Sequence, residues 1–338
     1  MTTIKDIAKL ANVSVTTVSK VINDYSDISP ETKNRVLKII EQNNYRPNAN
    51  ARTLSTNKSY SIGIFFKDHQ NSGLQHPFFR EIIYGLEREF SEQGYDLILF
   101  ASKWGDKFKY VDKCEHRNVD GAILMGMPRT ADDLDNLVEA KIPAVFVDLD
   151  ITGENATYVM SDNISGAKKA INYLVELGHK KIGMITGEKM TKPAQDRLVG
   201  YKNALADNNI EYQSKWVIEG EFSETGGYNS MKKIIKLNEH PTAVFCQGDK
   251  IAFGAIKAIN ESEYKVPEDF SIIGFDDIEI SSYIEPKLTT VHQNKFDMGK
   301  TAAELLIDII NNPDNNYPPV ILPTKLMKRK SCIRIDQS

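Results

Sequence analysis

The chain has 338 residues, 41% of them hydrophobic and 26% charged, with a net charge of −4, a composition that suits a water-soluble protein of two or three domains. It lacks any approach to the roughly 18–20 consecutive apolar residues that a membrane span needs, and Lys5, Asp6 and Lys9 interrupt the opening residues where a secretory signal would be apolar. Cys114, Cys246 and Cys332 are isolated and odd in number, which argues against a disulfide framework or a cysteine zinc site and fits a reducing cytoplasm.

The charge is unevenly spread. Residues 1–60 carry nine Lys/Arg and five Asp/Glu, a net of +4, whereas the remainder carries 33 and 41, a net of −8. A small basic head on an acidic body is the pattern of a nucleic-acid contact confined to one end.

Thr3-Ile4-Lys5-Asp6 fits a capping box, and Ile4, Ile7, Ala8 and Ala11 then share one helical face. Asn12 suits the left-handed turn that ends such a helix, and Ser14 suits the N-cap of the next. The stretch VSVTTV is rich in β-branched residues and locally resembles a strand. Val18, Val21 and Ile22, however, recur at helical spacing, so the expectation is a turn at Val13 followed by a second helix. Ser29-Pro30-Glu31 opens a third helix with Val36, Leu37 and Ile40 inside. Three short helices with a tight first turn form a helix-turn-helix. The second helix then presents Val15, Thr16, Thr17, Ser19 and Lys20 outward. These are hydroxyls, methyls and a cation suited to phosphates and to base edges in a major groove. In YRPNANARTLSTN (45–57), Asn48 to Leu54 is a short helix candidate with almost no apolar face. A minor groove would order it, with Arg52 in the negative potential and Leu54 as a wedge; the alternative is a plain linker.

From Ser61 onward, apolar strand candidates alternate with helices. The strands are SIGIFF (61–66), YDLILFA (95–101), GAILMG (121–126), PAVFVD (143–148), KIGMITG (181–187), TAVFC (242–246) and FSIIGF (270–275). Helical patterns fall around 78–93, 164–178, 194–208, 249–261 and 295–311. The fold class is therefore α/β: an all-α head followed by doubly wound parallel sheets, too long for one such domain and so divided into two lobes with a ligand cleft between them.

The run TIKDIAKLANVSVTTVSKVIN…SPETKNRV…YRPNANARTL resembles the DNA-binding head and hinge of the LacI/GalR family of bacterial repressors. In the body QDRLVGY (195–201), GDKIAFGA (248–255), FSIIGFDDIEIS (270–281) and LTTVHQNKFDMGKTAAELL (288–306) match successive family motifs, so the similarity covers essentially the whole chain. The resemblance implies a periplasmic-binding-protein-like core in which the chain crosses between lobes three times. The implied division is a head at 1–46, a hinge at 47–59, an N-lobe of 60–161 and 292–322, and a C-lobe of 162–291 and 323–338. It makes 15–22 the recognition helix, with Val15, Thr16 and Lys20 reading bases and Leu54 intercalating. Ser14, Thr17, Ser19, Asn23, Ala51 and Arg52 complete the expected DNA-contacting set.

In the cleft, the resemblance assigns Arg197 to clamping ligand hydroxyls or carboxylates and Asp276 to accepting from ligand hydroxyls or amines. Asp148, Phe222, Phe78 and Asp249 are the other implied effector contacts. For Arg197 and Asp276 the competing reading is a surface or interlobe salt bridge; for Phe78 and Phe222 it is core packing. The sequence departs from the family pattern at Asn12 and Asn44 (usually Gly), Lys20 (commonly Arg) and Gly248 (usually Asn). The last removes a hydrogen-bonding amide, so the effector need not be the family's commonest sugar.

No phosphate-binding Gly-rich loop, nucleophile elbow, HExxH or paired CxxC occurs. His69 and His76 near Asp68 suit exposed or cleft-lining positions better than metal ligation. Asp276 and Asp277 are adjacent on a strand end and point to opposite sides, which disfavours acid–base catalysis by the pair. The expectation is a cytoplasmic homodimeric repressor, not an enzyme, without cofactor or metal. It binds palindromic double-stranded operator DNA and a small effector, a sugar or sugar derivative, and has no membrane partner. The competing classes are a transport solute-binding module, which would need a signal or lipid anchor, and an α/β enzyme with a helical appendage. Because KLMKRKSCIRIDQS closes the sequence without the leucine-heptad tail that joins dimers into tetramers in some family members, the resemblance implies a dimer rather than a tetramer.

Overall fold

The computed structural model describes residues 2–22, 25, 27–45, 58–66, 75–100, 109–127 and 133–335. They fall into two units, Met1–Tyr60 and Ser61–Ser338.

In the first unit α1 (Ile4–Ala11), α2 (Val15–Ile22) and α3 (Pro30–Gln42) are short helices. Thr3 and Asp6 close the capping box, Thr3 N–H donating to Asp6 Oδ2 at 2.9 Å and Asp6 N–H to Thr3 Oγ1 at 3.3 Å. Asn12 ends α1 at φ 51° and Asn44 follows α3 at φ 47°, so both asparagines stand where a left-handed residue is required. Ser14 caps α2 by accepting from Thr17 N–H at 3.0 Å. The weak helix propensity of the β-branched residues is overridden by packing: Val18 and Val21 bury against Ile7, Ala8, Ala11 and Val36, with Val13 alongside. Leu37, expected inside, is instead 42% exposed. Ile39 and Ile40 complete the inner stripe with Val36, and Leu37 is turned about 100° away from Val36 around the helix.

The second unit holds two six-stranded sheets. The first is built from β1 (Ser61–Phe66), β2 (Asp96–Phe100), β3 (Gly121–Met125), β4 (Ala144–Val147), β5 (Ala156–Ser161) and β11 (Val320–Leu322), in the order β11-β5-β4-β3-β1-β2. All its pairings are parallel. Its helices are α4 (Pro77–Glu92), α5 (Tyr110–Arg117) and α6 (Leu134–Glu139), together with α11 (Lys295–Asn311), which packs on α4 and on β3 to β5.

The second sheet contains β6 (Ile182–Thr186), β7 (Val217–Glu219), β8 (Ala243–Cys246), β9 (Ser271–Asp276), β10 (Thr289–Gln293) and β12 (Thr324–Met327), in the order β12-β10-β9-β8-β6-β7. Only β12 runs antiparallel, against β10. The helices α7 (Asn163–Glu176), α8 (Lys192–Asp207), α9 (Glu224–Ile235) and α10 (Asp249–Asn260) belong to this half. In both sheets the strand order reverses beside the first strand, at β1/β3 and at β6/β8. Ligands of open α/β sheets bind beyond the carboxyl ends at such points.

The chain passes from the first sheet to the second between β5 and α7, returns between β10 and α11, and passes again between β11 and β12. His292 pairs with Asp276 inside the second sheet, so the return comes after Gln293 and not at 292. Strand β2 is an edge, with Leu99 48% exposed, rather than the buried strand its apolar run suggested.

The left-handed backbone at Asn12 gives a direct test of the head. Asn12→Gly should be neutral or mildly stabilising, whereas Asn12→Ala should cost about 1 kcal/mol. Amide hydrogen exchange of α1 and α2 in the full chain measures it; equal protection in the two variants would contradict the turn.

Candidate ligand cleft and DNA-facing helix

The second unit contains a cavity of about 840 Å³, open mouth included, lined by residues that follow the carboxyl ends of strands in both sheets. From the first half come Phe78 and Phe79 at the start of α4, Met127 after β3 and Asp148 after β4. From the second come Arg197 on α8, Phe222 after β7, Gly248 and Lys250 at the start of α10, and Asp276 at the end of β9. The lining is mainly apolar with a few convergent charges, as small-ligand sites generally are.

Arg197 is 3% exposed. Its Nε donates to Asn163 Oδ1 at 2.8 Å and its Nη1 to Gln247 O at 2.5 Å, and its Cζ stacks 3.8 Å from the Phe275 ring centroid. Asp276 Oδ1 lies 3.8 Å from Arg197 Nη1 and accepts from Gln293 Nε2 at 2.7 Å. Burial raises the Asp276 carboxyl, with Arg197 and Lys295 pulling the other way. The buried, nearly unhydrated side chain of Lys295 donates to Asp276 O at 2.7 Å and Asp277 O at 3.1 Å. Asp277 faces away from the cavity, bonded to His292 Nδ1 at 2.9 Å and Arg329 Nη2 at 2.6 Å.

Asp148 has φ 59°, and its Oδ1 is buried without a hydrogen-bond partner. Burial is the largest influence on its carboxyl, which is pushed up to about 7 despite Arg197. An acceptor held this way has room for a hydroxyl donor from a ligand.

Phe222 is gripped between two glycines. A Cβ at Gly187 would stand 2.2 Å from its ring, and one at Gly248 would stand 3.2 Å from Phe222 Cδ1 and 3.5 Å from Asp276 Oδ2. Glycine at 248 therefore makes space for an aromatic platform where an asparagine side chain would crowd it.

Asp249 does not line the cavity. It is fully buried behind it, its Oδ2 accepting from Ile278 N–H at 2.8 Å and Ser281 Oγ at 2.7 Å, and its Oδ1 from Thr290 Oγ1 at 2.5 Å. The expected effector contact at 249 is therefore corrected to a brace. Its carboxylate ties the start of α10 to the loop after β9 and to β10. Among the described residues, no cluster of His, Cys, Asp or Glu suited to a metal ion occurs.

On the head, Val15 is 40% exposed and Thr16 is exposed beside it, both in the first turn of α2. Thr17, Ser19 and Lys20 are half-buried. The Ser14 hydroxyl is engaged by Thr17 Oγ1 at 2.9 Å as well as by the cap. Lys20 is ion-paired with Asp27, a partner the sequence reading did not foresee. Asn23, Ala51, Arg52 and Leu54 lie outside the described residues, as does the helix expected at 48–54.

Residues 3–48 match the profile of bacterial regulatory proteins of the lacI family, and 171–332 match that of the periplasmic binding protein-like domain. The chain is 37% identical to the ribose operon repressor of Haemophilus influenzae, over 98% of each chain. It is 38% identical to the HTH-type transcriptional repressor PurR of Mannheimia succiniciproducens, over 99% of this chain and all of that one. The chain belongs to the LacI family. A crystal structure of the lac repressor dimer, bound to operator and an anti-inducer, superposes with a TM-score of 0.84 at 27% identity, covering 98% of this chain and 99% of that one. In this LacI-family chain the cleft brings together five of the six expected effector residues, Phe78, Asp148, Arg197, Phe222 and Asp276. Arg197 and Asp276 line the cavity and form an ion pair that is largely buried and lies within the second half, so it is neither a surface nor an interlobe salt bridge. Lys250, Gly187 and the Gln293–Lys295 support were missed. A lysine in a helix's first turn reads as a solvated side chain, and the supports declare themselves only through long-range contacts.

Two variants separate brace from cleft. Asp249→Ala strands three buried donors and should lower stability by several kcal/mol, roughly 1–3 for each unpaired group, which urea unfolding of the full chain would detect. Asp148→Asn should do the opposite at neutral pH. Below about pH 4 the aspartate is protonated in both folded and unfolded chains and nothing is lost. Between about pH 4 and the folded value of about 7 only the unfolded chain releases its proton, so native stability falls. Asparagine tolerates the left-handed backbone and escapes that loss. Its thermal midpoint should exceed the parent's by a margin that grows from about pH 4 to pH 7; a margin independent of pH would rule out desolvation as the cause.

Proposed function

We propose that this LacI-family chain is a ligand-responsive transcriptional repressor. As a homodimer it binds a palindromic operator in double-stranded DNA and takes a small effector, a sugar or sugar derivative, into the cleft between its two sheets. The observation that carries the reading is the pairing of a helix-turn-helix whose second helix exposes Val15 and Thr16 with a cleft that presents Arg197, Asp276 and Asp148. The relatives are repressors, and their names carry no enzymatic activity. No helix among the described residues is long and apolar enough to cross a membrane. A cytoplasmic location follows from the proposed role on DNA.

In this reading residues 1–46 form the head and 47–59 the hinge. Residues 60–161 with 294–322 form one lobe, and 162–293 with 323–338 the other. Val15, Thr16 and Lys20 read base edges, with Lys20 exchanging its exposed partner Asp27 for the operator. Such an exposed ion pair is worth at most about 1 kcal/mol, so the exchange costs little. Two half-sites about one helical turn apart require the two-fold of a dimer. Ligand and operator each favour one arrangement of the lobes, and their agreement or conflict sets whether the ligand represses or induces.

A gel shift with the region upstream of the chain's own gene tests this reading. Sequence-preferring binding that weakens steeply with salt is expected; its absence there and at every palindrome tried would overturn the proposal. Arg197→Lys keeps the charge but loses the two-pronged fork. It should raise the effector's Kd by about 10-fold or more, one lost charge-assisted hydrogen bond being worth roughly 1.5–3 kcal/mol. Unchanged effector affinity would remove Arg197 from the site.

A further inference from the structure

Among the described residues, the cleft's charges do not all have partners. Arg197 is matched by Asp276 and sits in the field of Asp148. Glu188 accepts from Phe222 N–H at 3.3 Å. Asp276 commits Oδ1 to Gln293 and leaves Oδ2 toward Gly248, and Asp148 Oδ1 accepts nothing. Lys250 differs from these. It lines the cavity from the first turn of α10, is half-buried, and makes no hydrogen bond or ion pair among the described residues. A lysine drawn part-way out of water without a counter-ion is an unmet electrostatic demand, best met by an anion.

The rest of the lining limits what else the ligand carries. Asp148 Oδ1 and Asp276 Oδ2 are acceptors, and Arg197 stands beside both. A ligand ammonium reaching for those oxygens would meet the Arg197 guanidinium, whereas hydroxyls donate to the carboxylates without that repulsion. The Phe222 ring, held between Gly187 and Gly248, offers a flat apolar face for the C–H side of a sugar ring.

Resting on the reading of the cleft as the effector site, we infer that the effector is an anionic polyol. Its sugar-like ring stacks on Phe222, its hydroxyls bond Asp148, Asp276 and Arg197, and its carboxylate or phosphate pairs with Lys250. Lys250 is then the residue that separates acidic sugars from neutral ones. Neutral parents fit the same ring site but leave the lysine unpaired, which a specificity-determining residue penalises.

Isothermal titration of the full-length protein tests this with matched probes. Hexuronates form the carboxylate arm, hexose and pentose phosphates the phosphate arm, and the corresponding uncharged sugars the parents. At least one acidic member should bind about tenfold or more tighter than its parent, one favourable charged pairing being worth that much. The responding arm identifies the anion. Lys250→Met should bring that ratio close to one, Lys250→Arg should preserve it, and raising salt from about 50 to about 500 mM should shrink it. A parent that binds as tightly as every acidic probe, a ratio that survives Lys250→Met, or no acidic probe binding at all would overturn the inference. A neutral sugar that binds more tightly than every acidic probe and alters operator affinity would overturn it while leaving the effector cleft intact. Failure of the operator gel shift would overturn the repressor reading whatever the cleft binds.

Discussion

Keeping the Arg197–Asp276 pair in a nearly dry site is the constraint that the surrounding structure answers. Burying two charges costs several kcal/mol for each ion before any attraction is gained. The pair persists because several nearby polar groups are recruited to it. Asn163 and Gln247 take the guanidinium's hydrogens, and Phe275 lies against its face. Gln293 Nε2 holds the Asp276 carboxylate. Behind them Asp249 gathers Ile278, Ser281 and Thr290, so that α10, β10 and the loop after β9 are clamped around the end of β9. Burial, and then the nearby Asp276 carboxylate, push the Asp249 carboxyl up to about 7, while Ser281, Thr290 and the Ile278 N–H pull it back.

How much of this is legible in the sequence follows from the kind of force at each place. Strands β1, β3, β4, β6, β8 and β9 are covered by helices and read as short apolar runs, because parallel sheets bury both faces. Strand β10 reads TTVHQ and escapes that test. Thr289, Thr290 and Gln293 are fully buried yet polar, and each bonds a residue far away in sequence: Arg329 N–H donates to Thr289 Oγ1, Thr290 Oγ1 to Asp249 and Gln293 Nε2 to Asp276, while Gln293 Oε1 has no partner among the described residues. Strand β2 misleads in the other direction, its apolar run lying at an edge. In the head, the capping box, Asn12, Ser14 and Pro30 are local signals and are readable locally, whereas Leu37 shows that an apolar residue on a short helix need not face the core.

The cleft was legible mainly through resemblance. Nothing in the composition around Arg197 or Asp276 separates a ligand clamp from a surface salt bridge, and a buried brace such as Asp249 has the same one-letter code as a ligand contact. Gly248 shows the gain from combining the two levels. Sequence alone marks it as a lost amide; the structure makes it the gap that admits Phe222 beside Asp276. The departure from the family pattern is then a change of cavity wall, from an amide side chain to an aromatic edge.

The same geometry gives the cleft leverage over the lobes. Asp148 ends a strand of the first sheet, while Arg197 and Asp276 belong to the second. A ligand that bonds all three spans both halves, so its affinity depends on how far apart they stand. That differential affinity is what a population shift requires. The crossing between β10 and α11 is wired into the same spot. Gln293 bonds the Asp276 side chain, and two residues later Lys295 bonds the Asp276 and Asp277 carbonyls while lying 3.7 Å from Glu81 on α4. A displacement of Asp276 therefore strains the return crossing and reaches α4 through a charged contact. The cavity-facing carboxylate of Asp276 and the connection between the lobes form one polar network, so that in the proposed reading a ligand that moves the first cannot leave the second unchanged.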